Sequence, residues 1–327
     1  MTGMVPSGCD NSVGKSACGC QYRLMLPAVG VRITWSDLPA HVRAAVEDRL
    51  GSPVVSAESQ SGGFSPGTAD RVVTRTGDRA FVKAVSPAQN PRSAEMARNE
   101  MVIAGALPAA APVPRLRAAF DDGEWVVLIF EDVAGRHPRT PWEPAEVDLA
   151  VGGLRQLART LTPSPVPQAP AAAERLRDDF GGWRRVAADP PPDLDPWVTA
   201  HLDSLVATAD RALASLSGDT LVHCDIRADN MLITPAGQVR FVDWPWGCVG
   251  PDWLDTALLA INVLVHGGDG DAIMPAQGID VAAAFTGYLL DIARRPPPPG
   301  LPTVRAFQRA QADALLPWLR EQPSSPG

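Results

Sequence analysis

Apolar residues fall into two regimes along the chain. From about Trp35 onward they first occur in short alternating runs. Val54–Ser59, Arg71–Thr76 and Arg79–Val85 read as strands, and Gly77-Asp78 between the last two is a tight hairpin signal. Leu116–Phe120 and Glu124–Glu131 form a second strand pair around the turn Asp121-Asp122-Gly123. Two helices are predicted within this region. In the first, Ser36 or Asp37 is the expected cap, Pro39 lies near the first turn, and Val42, Ala45, Val46 and Leu50 form the apolar face. The second spans about Ser93–Leu107 and ends before the Pro-rich Pro108–Pro114.

After Gly135 the period becomes helical. Ala145–Leu161 carries Val147, Val151, Leu154, Leu157, Ala158 and Leu161 on one face, and Trp197–Leu216 is a second long helix. Three short strand-like pieces follow, Leu221-Val222, Met231–Thr234 and Gln238–Val242, and the remainder is again helical, interrupted at Pro296–Pro299. No internal repeat is present. The expected architecture is α+β: a small antiparallel sheet with helices, a short connector, and a larger, mostly helical part.

The first 30 residues mix Gly, Ser, Cys and Pro without a hydrophobic period and read as a disordered tail or a mis-assigned start. Gly14-Lys15-Ser16 within them lacks the strand and helix that a phosphate-binding loop requires, and Gly8 is one residue too far away. Cys9, Cys18 and Cys20 have no fourth ligand nearby, so free thiols are the expectation.

Composition narrows the function classes. The 327-residue chain is 45% hydrophobic and 20% charged, with net charge −8. That size allows two lobes with real cores. The acidic balance disfavours a nucleic-acid partner, which needs clustered Lys and Arg. The apolar run Ala257–Val265 is too short to span a bilayer and is broken by Asn262, so it reads as a buried helix with no membrane partner. Five irregularly spaced cysteines fit a reducing cytoplasm. Lysine occurs only at Lys15 and Lys83, which singles out Lys83 in the strand Ala80-Phe81-Val82-Lys83-Ala84-Val85.

The chemistry concentrates in His223-Cys224-Asp225-Ile226-Arg227-Ala228-Asp229-Asn230 and the hairpin after it, which ends in Val242-Asp243-Trp244. A hairpin brings its ends together, so Asp243 should approach Asn230. The oxygen ligands thus gathered suit Mg²⁺, and Asp225, one loop away, is placed to orient a hydroxyl nucleophile.

This pattern resembles the His-x-Asp-x-x-x-x-Asn catalytic loop and following metal Asp of the protein-kinase-like fold. The lead-in Leu221-Val222, the Asp243-Trp244 continuation and the later Gly250-Pro251-Asp252-Trp253-Leu254-Asp255 are similar to the aminoglycoside phosphotransferase family. The resemblance covers about residues 35–320 and implies a two-lobed fold. Residues 31–131 would be the nucleotide-phosphate lobe, 132–135 the hinge and 136–327 the lobe carrying the catalytic loop, metal and acceptor sites. It implies an ATP- and Mg²⁺-dependent phosphotransferase that acts on a hydroxyl of a small-molecule acceptor, an antibiotic, an amino alcohol or a sugar. Asp225 would be catalytic, Asn230 and Asp243 would hold Mg²⁺, and Asp255 would be structural. Lys83 would hold the phosphates, paired with Glu100 in preference to Glu95. Gly62, Gly63 and Ser65 in Ser61–Gly67 would cradle phosphate through backbone N–H groups, and the backbones of Glu131 and Val133 would face adenine. Arg227 either neutralises charge on the transferring group or pairs with Asp229.

Cys224 stands where the family frequently has Gly, and Pro245-Trp246-Gly247 is bulky. Both bear on the acceptor pocket, for which Trp244, Trp246 and Trp253 and the carboxylates Asp252, Asp269, Asp271 and Asp291 are candidates. A nucleotide-binding pseudoenzyme is the alternative, although no catalytic group is missing. A protein kinase is disfavoured by the short stretch between Asp243 and Asp252 and by the lack of an Ala-Pro-Glu element. Acceptor identity, ATP against GTP, and oligomeric state are not encoded in any of these motifs.

Overall fold

The computed structural model describes residues 32–60, 66–298 and 301–322. The expected tail, and Gly62, Gly63 and Ser65 of the glycine-rich segment, lie outside them.

The first lobe is a five-stranded antiparallel sheet in the order β1-β2-β3-β5-β4. Its strands are β1 (Val54–Ser59), β2 (Thr68–Thr74), β3 (Arg79–Val85), β4 (Leu116–Asp121) and β5 (Val126–Glu131). One helix, α1 (Ala40–Leu50), packs on one face through Val42 and Val46, which sit against Val72, Val82, Val127 and Ile129. The other helix, α2 (Pro91–Ala106), packs on the opposite face through Ala94 and Ala104, with Leu128 and Phe130. β5 is therefore covered on both sides, which explains why it reads as an unbroken apolar run. The period of two puts Lys83 on the same face as Phe81 and Val85, turned toward α2.

Two local expectations are corrected. Asp37 does not cap α1. Its carboxylate accepts the Thr34 N–H at 2.8 Å and closes a separate 3₁₀ turn at Trp35–Asp37, while Pro39 occupies the N-cap of α1. Proline has no N–H to lose at a helix entrance. β2 begins at Thr68 rather than Arg71, because Thr68, Ala69 and Asp70 already pair with Ala84, Lys83 and Val82. Buried Asp70, hydrogen-bonded by Ser59, breaks the apolar alternation there.

The second lobe contains α3 (Pro144–Thr160), three short helices α4 (Ala172–Arg175), α5 (Arg177–Phe180) and α6 (Gly182–Ala188), then α7 (Pro196–Ala214). After these come β6 (Thr220–Val222), β7 (Met231–Ile233), β8 (Val239–Phe241) and β9 (Cys248–Gly250). The chain closes with α8 (Leu254–Val265), α9 (Gly278–Ala293) and α10 (Val304–Glu321). α9 is the central helix: α5, α6, α7, α8 and α10 all contact it. Gly182 sits so close to it that a Cβ there would lie 2.4 Å from the Gly287 carbonyl carbon. The wholly buried Trp183 next to it donates its indole N–H to the Ala283 carbonyl at 2.8 Å. β7 and β8 form the expected hairpin, with Met231 opposite Phe241, and β9 pairs with β6. β9 and the helices within 172–188 were not foreseen, since elements of three to seven residues carry too little period to read. No helix among the described residues is long and apolar enough to cross a membrane.

Candidate active site

The site forms where β3 and α2 of the sheet lobe face the hairpin of the helical lobe. Lys83 Nζ donates to both Glu100 oxygens, at 2.8 and 2.9 Å, and to Asp243 Oδ1 at 2.7 Å. Glu100 is buried in α2, whereas Glu95 is exposed, so the pairing favours Glu100 as expected. The Trp244 N–H adds a bond to Glu100 at 3.3 Å. Burial pulls the Lys83 ammonium down, but Asp243 and Glu100 together raise it above its ordinary range, so it stays charged. Burial raises Glu100 despite Lys83. Asp243 shifts the other way: burial would raise it, yet Lys83 holds it below the usual carboxylate range.

The loop 223–230 is held from beneath. Asp255, in the first turn of α8, accepts the backbone N–H of His223 at 2.7 Å and of Cys224 at 3.0 Å. The His223 ring is fully buried, and its Nε2–H donates to the Val242 carbonyl at 2.9 Å. Its Nδ1 accepts the Asp225 N–H at 3.3 Å, so one tautomer serves both bonds. Cys224 has φ 64°, in the left-handed region, which explains why glycine suits this position. Asp243, at φ 69°, is the only other non-glycine residue with positive φ among the described residues. Both exceptions lie at this site, as stored backbone strain tends to.

Asp225, Asn230 and Asp243 converge. The Val242 N–H donates to the Asn230 carbonyl at 3.0 Å, which brings Asp243 beside Asn230 as the hairpin argument requires. Asn230 is buried, and its Nδ2 donates to the Asp225 carbonyl at 2.8 Å and to Asp225 Oδ2 at 2.9 Å. Its Oδ1 is left as an acceptor. Arg227 forms a two-point pair with Asp229, at 2.9 and 2.8 Å, and its Nη1 lies 3.5 Å from Asp225 Oδ1. The geometry thus contains the Arg227–Asp229 pair and also sets Arg227 against Asp225. Burial raises Asp225 above its usual range, and Arg227 opposes that shift.

The donor set fits a hard cation shared with a substrate. Among the described residues no group of three or more His, Cys, Asp or Glu could hold a metal. One carboxylate (Asp243) and one amide oxygen (Asn230) instead match Mg²⁺, which usually takes only one or two protein oxygens beside phosphates.

At the end of β5, Asp132 is buried between Arg71 at 2.6 Å and Arg79 at 2.7 Å. Arg71 Nη2 also donates to the Val133 carbonyl at 2.5 Å, and the Glu131 N–H goes to the Arg115 carbonyl at 2.9 Å. The sequence places Asp132 only within the hinge 132–135; a carboxylate directly after a buried strand is the signal for its two arginine partners.

The other candidates separate. Trp244 is buried, with its indole N–H on the Phe241 carbonyl at 3.2 Å, and Trp246 and Trp253 are half-buried. Asp291 is enclosed by Arg185, Arg294 and Arg295; Asp271 accepts the Trp318 indole at 2.7 Å; Asp269 takes the Ala272 N–H at 3.3 Å. These three acids serve local structure.

Comparison with known proteins is consistent with this arrangement. The profile described as "Phosphotransferase enzyme family" matches residues 61–307. A thermostable mutant of an aminoglycoside phosphotransferase, in ternary complex with ADP and hygromycin B, superposes with a TM-score of 0.55 at 15% identity, covering 88% of this chain and 100% of its own. Choline kinase LicA from Streptococcus pneumoniae gives 0.55 at 15% identity, covering 84% and 99%. A fructosamine-3-kinase homologue from Haemophilus somnus gives 0.51 at 11%, covering 86% and 96%. At these identities the likeness is one of fold, the two-lobed kinase-like α+β fold expected from the sequence. No curated protein matches the chain.

Proposed function

We propose that this chain, which belongs to the phosphotransferase enzyme family, transfers the γ-phosphoryl of ATP to a hydroxyl of a small molecule with Mg²⁺ present. The observation that supports this best is Lys83, 2.7 Å from Asp243 and 2.8 Å from Glu100, with Asp225 joined to Asn230 on the adjoining loop. In this reading the groups proposed for nucleotide, metal and acceptor lie close together.

In this reading residues 31–131 form the nucleotide-phosphate lobe, 132–135 the hinge, and 136–327 the lobe for catalysis and acceptor. Lys83, held charged by its two carboxylates, orients the phosphates. Gly62, Gly63 and Ser65 supply backbone N–H groups to them, and the backbones of Glu131 and Val133 meet the adenine edge. Asn230 Oδ1 and Asp243 would hold Mg²⁺, which when bound neutralises phosphate charge. Asp225 accepts the proton of the attacking hydroxyl, and the Asn230 amide and Arg227 fix its carboxylate. Catalysis then comes mainly from positioning and charge stabilisation. The cytoplasm, where Cys224 and Cys248 would stay reduced, is the proposed compartment.

A library of hydroxyl compounds, assayed for ADP release with Mg²⁺, tests the reading. At least one acceptor should give phosphorylated product, and Asp225→Asn should remove that turnover while MgATP still binds. Absence of MgATP binding by the natural chain would overturn it. MgATP binding without transfer to any acceptor would identify a pseudoenzyme.

A further inference from the structure

Three segments remote in sequence meet at the indole of Trp246, three residues beyond Asp243. Arg92, in the first turn of α2, and Arg175, at the end of α4, each place their guanidinium carbon 5.6 Å from the ring centroid. Asp132, by contrast, pairs with two arginines and Asp291 with three. Arg92 and Arg175 make no ion pair among the described residues. The Nε of Arg175 is buried without a hydrogen-bond partner.

This cluster borders the catalytic loop. Asp179, on α5 one turn past Arg175, is pushed up to about 6 by burial, against the fields of Arg185, Arg92 and Arg175. Tyr288, on α9, is pushed up to about 12 by burial and then by Asp179; Arg92 and Asp225 also act on its phenol. Tyr288 thus feels charges on both the Trp246 cluster and the proposed catalytic carboxylate.

We propose that Arg92, Trp246 and Arg175 form the recognition face for an acceptor that carries an anionic group, a carboxylate or a phosphate, beside a planar or apolar body. A guanidinium packed on an indole keeps its N–H donors at the rim of its plane, where they pair with an oxyanion. Arg92 and Arg175 have no ion-paired carboxylate among the described residues, so this face favours an oxyanion over a polycation. The buried Nε of Arg175 is costly to leave without a partner, and an incoming oxyanion supplies one. The acceptor's hydroxyl oxygen bonds to the γ-phosphorus, the bond to the β–γ bridging oxygen breaks, ADP departs, and the hydroxyl proton goes to Asp225. The inference rests on the reading that Asp225 faces the acceptor.

Calorimetric titration of the full chain, with a non-hydrolysable MgATP analogue present, is the test. The probes are hydroxylated aryl compounds, each in matched carboxylic acid, phosphomonoester, primary amide and amine forms. An anionic form should bind about tenfold or more tighter than its amide, the scale of one charge-assisted hydrogen bond. The tighter of acid and phosphomonoester identifies the group. Arg92→Ala and Arg175→Ala should each collapse that preference. Arg92 is exposed, so its replacement leaves a folded protein to measure even if that of Arg175 does not. Equal binding of all forms, a preference for amines, binding of no anionic form at millimolar concentration, or a preference that survives the Arg92 substitution would each overturn the proposal. Failure of the analogue itself to bind would instead count against the phosphotransfer reading.

Discussion

Lys83 and Asp243 are 160 residues apart in sequence, and their Nζ and Oδ1 atoms are 2.7 Å apart in space. One is on the central strand of the sheet lobe and the other at the end of a hairpin in the helical lobe, so this ion pair ties the lobes together at the site. Glu100 also binds the same ammonium, at 2.8 Å.

Removing Lys83 should therefore have two separable effects. Lys83→Met is expected to lower kcat/KM by roughly 10²–10³, the scale for loss of one preorganised charge-stabilising donor. It also strips Glu100 of its counter-ion, leaving burial and Asp243, both of which raise its pKa. A carboxyl whose folded pKa is raised stabilises the fold only while it is protonated. That contribution is full below the unfolded value and is lost as pH rises through the folded one. Lys83→Met should thus destabilise the protein more at pH 8 than at pH 5. Thermal melts of both proteins at the two pH values check this, and an equal loss at both would contradict it.

Asp225→Asn keeps the bond to Asn230 in reach but cannot take a proton. Turnover should fall by roughly 10²–10⁴, the usual contribution of a positioned general base. MgATP affinity, measured by calorimetry, should stay within about twofold, because the proposed reading assigns Asp225 to the acceptor and not to ATP. Retention of most of the turnover would remove Asp225 from its assigned role.

The left-handed backbone of Cys224 reverses an ordinary preference. In regular structure alanine is more stable than glycine by roughly 0.5–1 kcal/mol. At φ 64°, however, a Cβ costs about 1–2 kcal/mol that glycine avoids. Both substitutions lose the same buried sulfur, so Cys224→Gly should be at least as stable as Cys224→Ala in chemical denaturation. The opposite order would mean that the loop relaxes out of the left-handed region once the sulfur is gone.

How much of this was legible beforehand follows from the range over which each signal acts. β1 and β3 were read to the residue because their alternation is local, and Asp225, Asn230 and Asp243 because one hairpin sets their meeting. Choosing Glu100 over Glu95 rested on its spacing to Ala104 and Leu107, which resembles the family's Glu followed by a hydrophobic helix turn. The Arg92–Trp246–Arg175 face was not legible, since it joins a helix start, a loop and a one-turn helix that nothing in the sequence relates. Asn262 looked like a break in an apolar run. Its Oδ1 in fact accepts the Trp142 indole at 3.0 Å and the Ala228 N–H at 3.3 Å, fastening the catalytic loop to α8. A buried polar group of this kind is explained only by partners 120 and 34 residues away.

Arg227 is the residue whose role the sequence left divided, and pH is the variable that separates the alternatives. Its guanidinium forms two bonds with Asp229 while lying 3.5 Å from Asp225. If it serves only Asp229, Arg227→Ala should leave kcat and its pH profile unchanged. If its charge acts on Asp225, the outcome differs in sign as well as size. Burial raises the Asp225 pKa and Arg227 is the foremost opposing influence, so removing Arg227 lets that pKa climb further. The base form of Asp225 is then reached only at higher pH, and the acid limb of the kcat profile moves upward. Arg227→Lys, which keeps a charge without the two-point fork, should restore part of the shift. We expect the upward movement, together with a lower kcat plateau if the same cation also offsets charge on the transferring phosphoryl group as proposed. A fall in kcat with an unmoved limb would assign Arg227 to the phosphoryl group alone, and a normal kcat with an unmoved limb would reduce it to the partner of Asp229.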